Sequence, residues 1–274
     1  MTQVALAEKL IQAKPFVKWA GGKQALAETL VEYFPDDFGT YFEPFIGGGS
    51  VFFTLNPKKA VIADYNSWLI DTYNAIKTDW KKVARILDKL PNNKEAYLEI
   101  RATLPDKLSA HKKAAHFVYL NKTCFRGLFR VNRKGMFNVP YGDYDRRYYD
   151  PANLQQASLR LQETEIRQGD FELNIYGAKK GDFIYFDPPY YKLGGYSDFN
   201  RYTDQQFVEH DQIRLAALCS ELDRNGVKWA LSNSNTDFIK RLYNGFKFYR
   251  IAARREINLN SNNRNIKELL ITNY

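Results

Sequence analysis

The chain has 274 residues, 45% of them hydrophobic and 26% charged, the profile of a soluble globular protein with one large domain or a core domain carrying an insertion. No run approaches the roughly 18–20 apolar residues of a membrane span. The mixed, polar residues 1–14 are no secretory signal. Two cysteines and three histidines make neither a disulfide framework nor a histidine-rich metal centre, so no metal is expected and a reducing cytoplasm is the expected home. The formal charge of +9 favours a polyanionic partner.

In chain order, the pattern predicts a helix over 24–33, a strand over 40–43, a turn over 44–49 and a helix over 50–55. A buried strand over 60–63 ends at Asp64, a helix spans 66–76, and helical rhythm returns over 82–90. The pattern then changes. Helices over 94–102 and 109–121 lead into a polar stretch rich in Gly and Tyr, to about 153. Strands over 165–168 and 183–186 follow, then a helix over 204–224, a strand over 228–232, a helix over 236–243, and strands near 246–252 and 269–273. Strands alternating with helices imply an α/β fold with a doubly wound, mostly parallel sheet. In such sheets ligands bind beyond the carboxyl ends of the strands, where the winding reverses.

Charge is unevenly spread. Residues 101–150 hold eleven Lys or Arg against four Asp or Glu, a net +7. A second basic stretch brings Arg250, Arg254, Arg255, Arg264 and Lys267 against Glu256. The first lies in an apparent insertion, residues 81–153, dividing a core made of 1–80 and 154–274. Nucleic acid fits this distribution better than two solvated faces.

Two segments carry chemistry. Glu43-Pro44-Phe45-Ile46-Gly47-Gly48-Gly49 takes a strand through a glycine turn into a helix. Such a turn lets a ligand approach the backbone closely. It is no phosphate-binding loop, since no Lys-Ser or Lys-Thr follows Gly49. Asp64, roughly twenty residues on, stands where an acid could hold ribose hydroxyls, or could cap the next helix. Upstream, Trp19 lies between Lys18 and Lys23 beside paired glycines. The second segment runs an apolar strand into Asp187-Pro188-Pro189-Tyr190. Two prolines stiffen this turn and remove two donors. A planar aromatic amine could stack on Tyr190 and give its two N–H bonds to Asp187 and the Pro188 carbonyl. Those acceptors would free the nitrogen lone pair and stabilise the positive charge that grows on it.

In combination and order these motifs resemble the Dam-type DNA adenine-N6 methyltransferases, of the D12 class and α arrangement, over nearly the whole chain. The resemblance implies a Rossmann-like methyltransferase fold with an inserted helical target-recognition subdomain, and S-adenosyl-L-methionine as cofactor. It places Trp19, Lys23, Glu43, Pro44, Phe45, Gly47, Gly49, Asp64, Asp170, Phe171 and Asp187 at the cofactor, with Asp170 and Phe171 reading its adenine. Asp187, Pro188, Pro189 and Tyr190 become the catalytic tetrad. The glycine turn carries one glycine more than the minimal family pattern.

The partner implied is double-stranded DNA, with the target adenine flipped out of the stack. Lys18, Lys122, Phe125, Arg126, Leu128, Arg130, Asn132, Asn138 and Tyr141 are the expected DNA-facing residues. Arg and Asn suit guanine and adenine edges, and Phe125, Leu128 and Phe129 are candidate wedges. Arg126 stands where Dam resembles an Asn, and Phe125 where it has Tyr, so GATC is the leading target rather than a fixed one. A monomer or weak homodimer is expected, in a bacterial, phage or viral host cell, compatible with a separate cognate restriction endonuclease. The alternatives are an RNA adenine or protein glutamine methyltransferase, in which Asn usually replaces the first Asp, or a DNA-binding regulator that has lost activity.

Overall fold

The computed structural model describes residues 12–132, 135–191, 207–254 and 265–274. Arg255 and Arg264 of the second basic stretch, and residues 204–206 of the predicted helix 204–224, lie outside them. A seven-stranded sheet runs through the molecule: β1 (Tyr41–Glu43), β2 (Ala60–Asp64), β3 (Thr164–Gln168), β4 (Phe183–Phe186), β5 (Lys228–Ser234), β6 (Lys247–Arg254) and β7 (Asn265–Thr272). Their spatial order is β3-β2-β1-β4-β5-β7-β6. The first five are mutually parallel, and β7 inserts antiparallel between β5 and β6. The mostly parallel, doubly wound expectation is met.

Both faces of the sheet are covered, which is why the central strands read as continuous apolar runs. Tyr41, Ile62, Phe183 and Tyr185 point into one core. Phe42, Val61, Ile184, Phe186, Trp229 and Leu231 point into the other. The first core is closed by α1 (Ala27–Val31), α2 (Ser50–Leu55), α3 (Ser67–Leu87), α4 (Lys94–Ala102), α5 (Ala110–Thr123) and α6 (Pro151–Leu161). The second is closed by α7 (Phe171–Asn174), α8 (Glu209–Arg224) and α9 (Asp237–Leu242).

Several elements differ from the predicted pattern, among them the short α7, which was not anticipated, and α8, which starts at Glu209 rather than 204. The stretches 66–76 and 82–90 form one helix, α3, bent at Asp79, whose backbone is non-helical (φ −155°, ψ 76°). The predicted helix over 24–33 shortens to the five residues of α1. Helix α6 was not anticipated, although Asp150 caps it by accepting from the Ala152 N–H and Pro151 takes its first turn. The boundary at 80/81 falls within α3, one residue past the bend. Residues 81–153 build no separate core: Tyr97, Ala114, Phe117, Tyr119 and Phe137 join the cluster that covers the sheet.

Because β1 leads outward to β2 and β3 on one side, while β4 leads to β5 on the other, the winding reverses between β1 and β4. The glycine turn follows β1 and the Asp-Pro-Pro-Tyr turn follows β4, so the topology brings the two motifs to one crevice. Among the described residues no helix is long and apolar enough to cross a membrane.

Candidate active site

The glycine turn is tight because its neighbours leave no room. Gly47 (φ 47°) and Gly49 (φ 76°) sit in the left-handed region. A Cβ on Gly47 would lie 2.7 Å from Trp19 Cδ1, and one on Gly49 2.7 Å from the Tyr73 hydroxyl. Asp64, at the end of β2, accepts from the Gly47 N–H (3.1 Å) and the Asn66 N–H (2.9 Å). Asn66 rather than Asp64 caps α3, accepting from the Leu69 N–H. Burial pushes the Asp64 carboxyl up to about 6, against the pull of those two donors. Asp64 therefore couples the turn to β2 and sits beside it.

Beyond the turn, Phe45 and Phe171 stack with centroids 5.5 Å apart, and Phe207 approaches both at 5.7 and 5.8 Å. Asp170 caps α7 through the Glu172 N–H. Arg214 of α8 clamps this corner, reaching Asp170 (3.0 Å), Glu172 (2.8 Å) and Asp211 (3.0 Å) with its guanidinium 4.9 Å from the Phe171 ring centre. Glu43 is buried with its neighbour Pro44 and accepts the Tyr41 hydroxyl at 2.7 Å. Burial holds its carboxyl well above the usual range.

At the second motif the protein ties down most polar groups of the turn. The Pro189 carbonyl accepts from Gln212 Nε2 (2.8 Å), itself bonded to Asn233. The Tyr191 N–H donates to Asn233 Oδ1 (3.3 Å), and the Tyr190 hydroxyl donates to Glu268 Oε2 (2.8 Å). What remains is the Asp187 carboxylate and the Pro188 carbonyl, which has no hydrogen-bond donor among the described residues. Lys23, only 5% exposed, places its ammonium 2.8 Å from Asp187 Oδ1 and 4.7 Å from the Tyr190 ring centre. Lys23, expected at the cofactor, thus stands between Asp187, expected at the same place, and Tyr190. Burial raises Asp187 to about 6, with Lys23 opposing the rise. The Tyr190 phenol is raised further still by burial and by the nearby carboxylates, so it stays a neutral donor.

The basic block meets this site through Asn121, whose amide brackets Lys18: the Lys18 N–H donates to Oδ1 (2.7 Å) and Nδ2 donates to the Lys18 carbonyl (2.8 Å). After α5 the chain makes a single 3-10 turn, Phe125–Gly127, with Arg126 in the left-handed region (φ 59°). Phe125 is 46% exposed and carries the Arg126 guanidinium over its ring. Tyr144 accepts the Arg126 N–H at 2.8 Å and has the cations of Arg146 and Lys18 over its ring at 4.6 and 5.8 Å. Burial, with Lys18 and Arg146 nearby, lowers Lys122 to about 8. Arg130 is exposed and is held by Asn138, through Nε to Oδ1 (2.8 Å) and Nη2 to the carbonyl (2.9 Å). Asn132 closes the adjoining turn, accepting from the Met136 N–H.

Not every DNA-facing candidate faces outward. Phe129, a predicted wedge, is 5% exposed and stacks on Trp19 at 5.6 Å, so it is core. Leu128 packs half-buried against the same cluster. Tyr141 donates its hydroxyl to Asn92 and lies 5.2 Å from the Tyr97 ring. Trp19 itself is a pillar between the glycine turn and Phe129. Glu268, Gln212, Asn233, Arg214 and Tyr144 escaped the sequence reading. The signal for Glu268 was present: one carboxylate within the apolar run Leu269–Ile271 and its flank.

Among the described residues no group of His, Cys, Asp or Glu could hold a metal. The arrangement offers a planar amine two acceptors beside the glycine turn, the Pro188 carbonyl and, once Lys23 is displaced, the Asp187 carboxylate.

The family model for D12 class N6 adenine-specific DNA methyltransferases matches residues 19–257. A type II methyltransferase of Lactococcus lactis subsp. cremoris, M1.LlaDCHI, is 39% identical over 98% of each chain. Another, M.MjaIII of Methanocaldococcus jannaschii, is 39% identical over 96% of this chain and 100% of its own. A DNA adenine methylase of Vibrio cholerae is 33% identical over 94% of this chain and 95% of its own. The RNA, protein-glutamine and inactive-regulator readings draw no support from these matches. This chain belongs to the D12 class of N6 adenine-specific DNA methyltransferases.

Proposed function

We propose that the protein transfers the methyl group of S-adenosyl-L-methionine to N6 of an adenine flipped out of duplex DNA, with GATC as its target. One observation carries the reading most. Of the polar groups in the turn after β4, those of Pro189, Tyr190 and Tyr191 are engaged by α8, β5 and β7, while the Pro188 carbonyl has no donor among the described residues and the Asp187 carboxylate is held by one displaceable cation, Lys23.

The cofactor supplies an electrophilic methyl on a sulfonium. The residues fit such a group: the Gly47–Gly49 turn presents backbone bare of side chains at the end of β1, Asp64 stands beside it for ribose hydroxyls, and Asp170 with Phe45 and Phe171 offers an acceptor and an aromatic wall for an adenine. The base stacks on Tyr190. Its amine donates to Asp187 and the Pro188 carbonyl, displacing Lys23 from the carboxylate. Once Lys23 has moved aside, both acceptors are held in place before the chemistry, so the charge growing on nitrogen is stabilised as it develops, and the crevice aligns the reacting atoms.

Residues 81–153 serve target recognition in this reading. Arg130, aimed by Asn138, reads a base edge; Phe125 and Arg126 enter the duplex; Lys18, Lys122 and Arg146 neutralise phosphate. GATC rests on the likeness to the Dam type. The protein acts in the cytoplasm as a monomer or weak homodimer, with any cognate endonuclease acting apart from it.

Sequencing that detects N6-methyladenine, applied to DNA from cells expressing the protein, tests this. Methyl groups confined to the adenine of GATC are expected. Another context would overturn the target, and purified protein that transfers no label from S-adenosyl-L-methionine to DNA would overturn the cofactor.

A further inference from the structure

We propose that Glu268 is a positioning residue for methyl transfer: by accepting the Tyr190 hydroxyl it fixes the plane of the ring on which the target adenine stacks. The inference rests on the reading of Tyr190 as that stacking platform.

Glu268 lies in β7, paired with Ser234 of β5 and Ile251 of β6. It is 9% exposed and followed by three buried apolar residues, Leu269, Leu270 and Ile271. A carboxylate in such a strand is costly unless hydrogen-bonded. No Lys or Arg among the described residues forms an ion pair with it, and its side-chain hydrogen bond is the one from Tyr190, at 2.8 Å. The site would suit an apolar residue if packing were all it did.

The geometry explains why a stacking tyrosine needs this partner. Two prolines stiffen the backbone before Tyr190, but its ring can still turn about two side-chain bonds, the second with a broad, soft preference. Lys23 places its ammonium over one face of the ring, 4.7 Å from its centre, but gives the phenol end no hydrogen-bond anchor. A hydrogen bond from the ring's far end to β7 removes the remaining freedom, because that strand is paired on both sides, with β5 and β6. The antiparallel strand thus delivers one group to a site otherwise built by parallel strands. Misalignment of reacting atoms by as little as about 1 Å can slow chemistry by roughly a hundredfold.

The test uses the full chain, labelled S-adenosyl-L-methionine and a duplex oligonucleotide, comparing Tyr190→Phe, Glu268→Ala, Glu268→Gln and the double variant Tyr190→Phe with Glu268→Ala, beside Tyr190→Ala as a control for the stacking ring. Each of the first two should lower kcat about tenfold, with KM for DNA within about threefold, and the double variant should be no slower than either. Glu268→Gln should recover most of the rate, since its amide carbonyl still accepts the phenol. With 2-aminopurine at the target position, the emission rise on binding should persist in all four, which separates flipping from ring placement. Full additivity in the double variant, or loss of thermal stability with kcat unchanged, would overturn the proposal. So would Tyr190→Phe at the wild-type rate beside an inactive Tyr190→Ala. A fully active Tyr190→Ala would instead remove the stacking reading beneath it.

Discussion

At the carboxyl ends of β1 and β4, polar groups are buried and paired. Asp64 holds the glycine turn, Asn233 and Gln212 hold the Asp-Pro-Pro-Tyr turn, and Lys23 neutralises Asp187. Across residues 121–150 the balance is reversed. Arg126 and Arg146 lie over aromatic rings with no carboxylate partner among the described residues, and Lys122 is crowded by other cations. A preorganised interior suits chemistry, where reorganisation costs rate. Cations without carboxylate partners suit a ligand that brings its own negative charge. The two regions are nevertheless not independent, because Asn121 and Trp19 bind the glycine-turn side to the basic block.

The largest expected effect lies on the interior side. Asp187→Ala should lower kcat by about a thousandfold or more while cofactor affinity changes only a few-fold, by analogy with loss of a preorganised transition-state contact. Equal loss of cofactor binding would show that the carboxylate serves the cradle and not the amine.

These regions also differ in how far the sequence revealed them. Asp187-Pro188-Pro189-Tyr190 is legible because the residues to which we assign the chemistry are contiguous and an apolar strand fixes their place. The sheet was legible for the same reason, its buried strands being short apolar runs. Tyr190's partner was not, since Glu268 is 78 residues away and arrives only when β7 pairs with β5. In the basic block, composition announced nucleic acid, yet could not say which aromatics turn inward. Phe125 and Phe129 are four residues apart in one motif; the first is exposed, while the second fills the space beneath Trp19. Packing against residues distant in sequence made that choice.

Next in size, Gly47→Ala should unfold more readily, by about 1–3 kcal/mol, and bind cofactor poorly, because the new methyl meets the Trp19 indole in a left-handed backbone. Thermal melts with and without cofactor measure both; unchanged values would mean that the turn yields. Arg130→Ala should lose roughly ten- to a hundredfold discrimination at one base-pair position. Equal loss on cognate and altered sites would place Arg130 on phosphate instead.

A smaller effect follows from the Asp187 carboxyl at about 6. In the proposed reaction the amine needs the ionised form, so kcat/KM, which reports the free protein, should be full above that pH and fall as pH drops through it, approaching tenfold per unit. A kcat flat down to pH 5 would mean that the bound state lowers this value again.

The most direct test is to digest duplex DNA methylated by the purified protein and identify the labelled nucleoside. The account requires N6-methyl-2′-deoxyadenosine from the wild type, and almost none from Asp187→Ala at saturating cofactor. Label on another base, or undiminished label with Asp187→Ala, would contradict it.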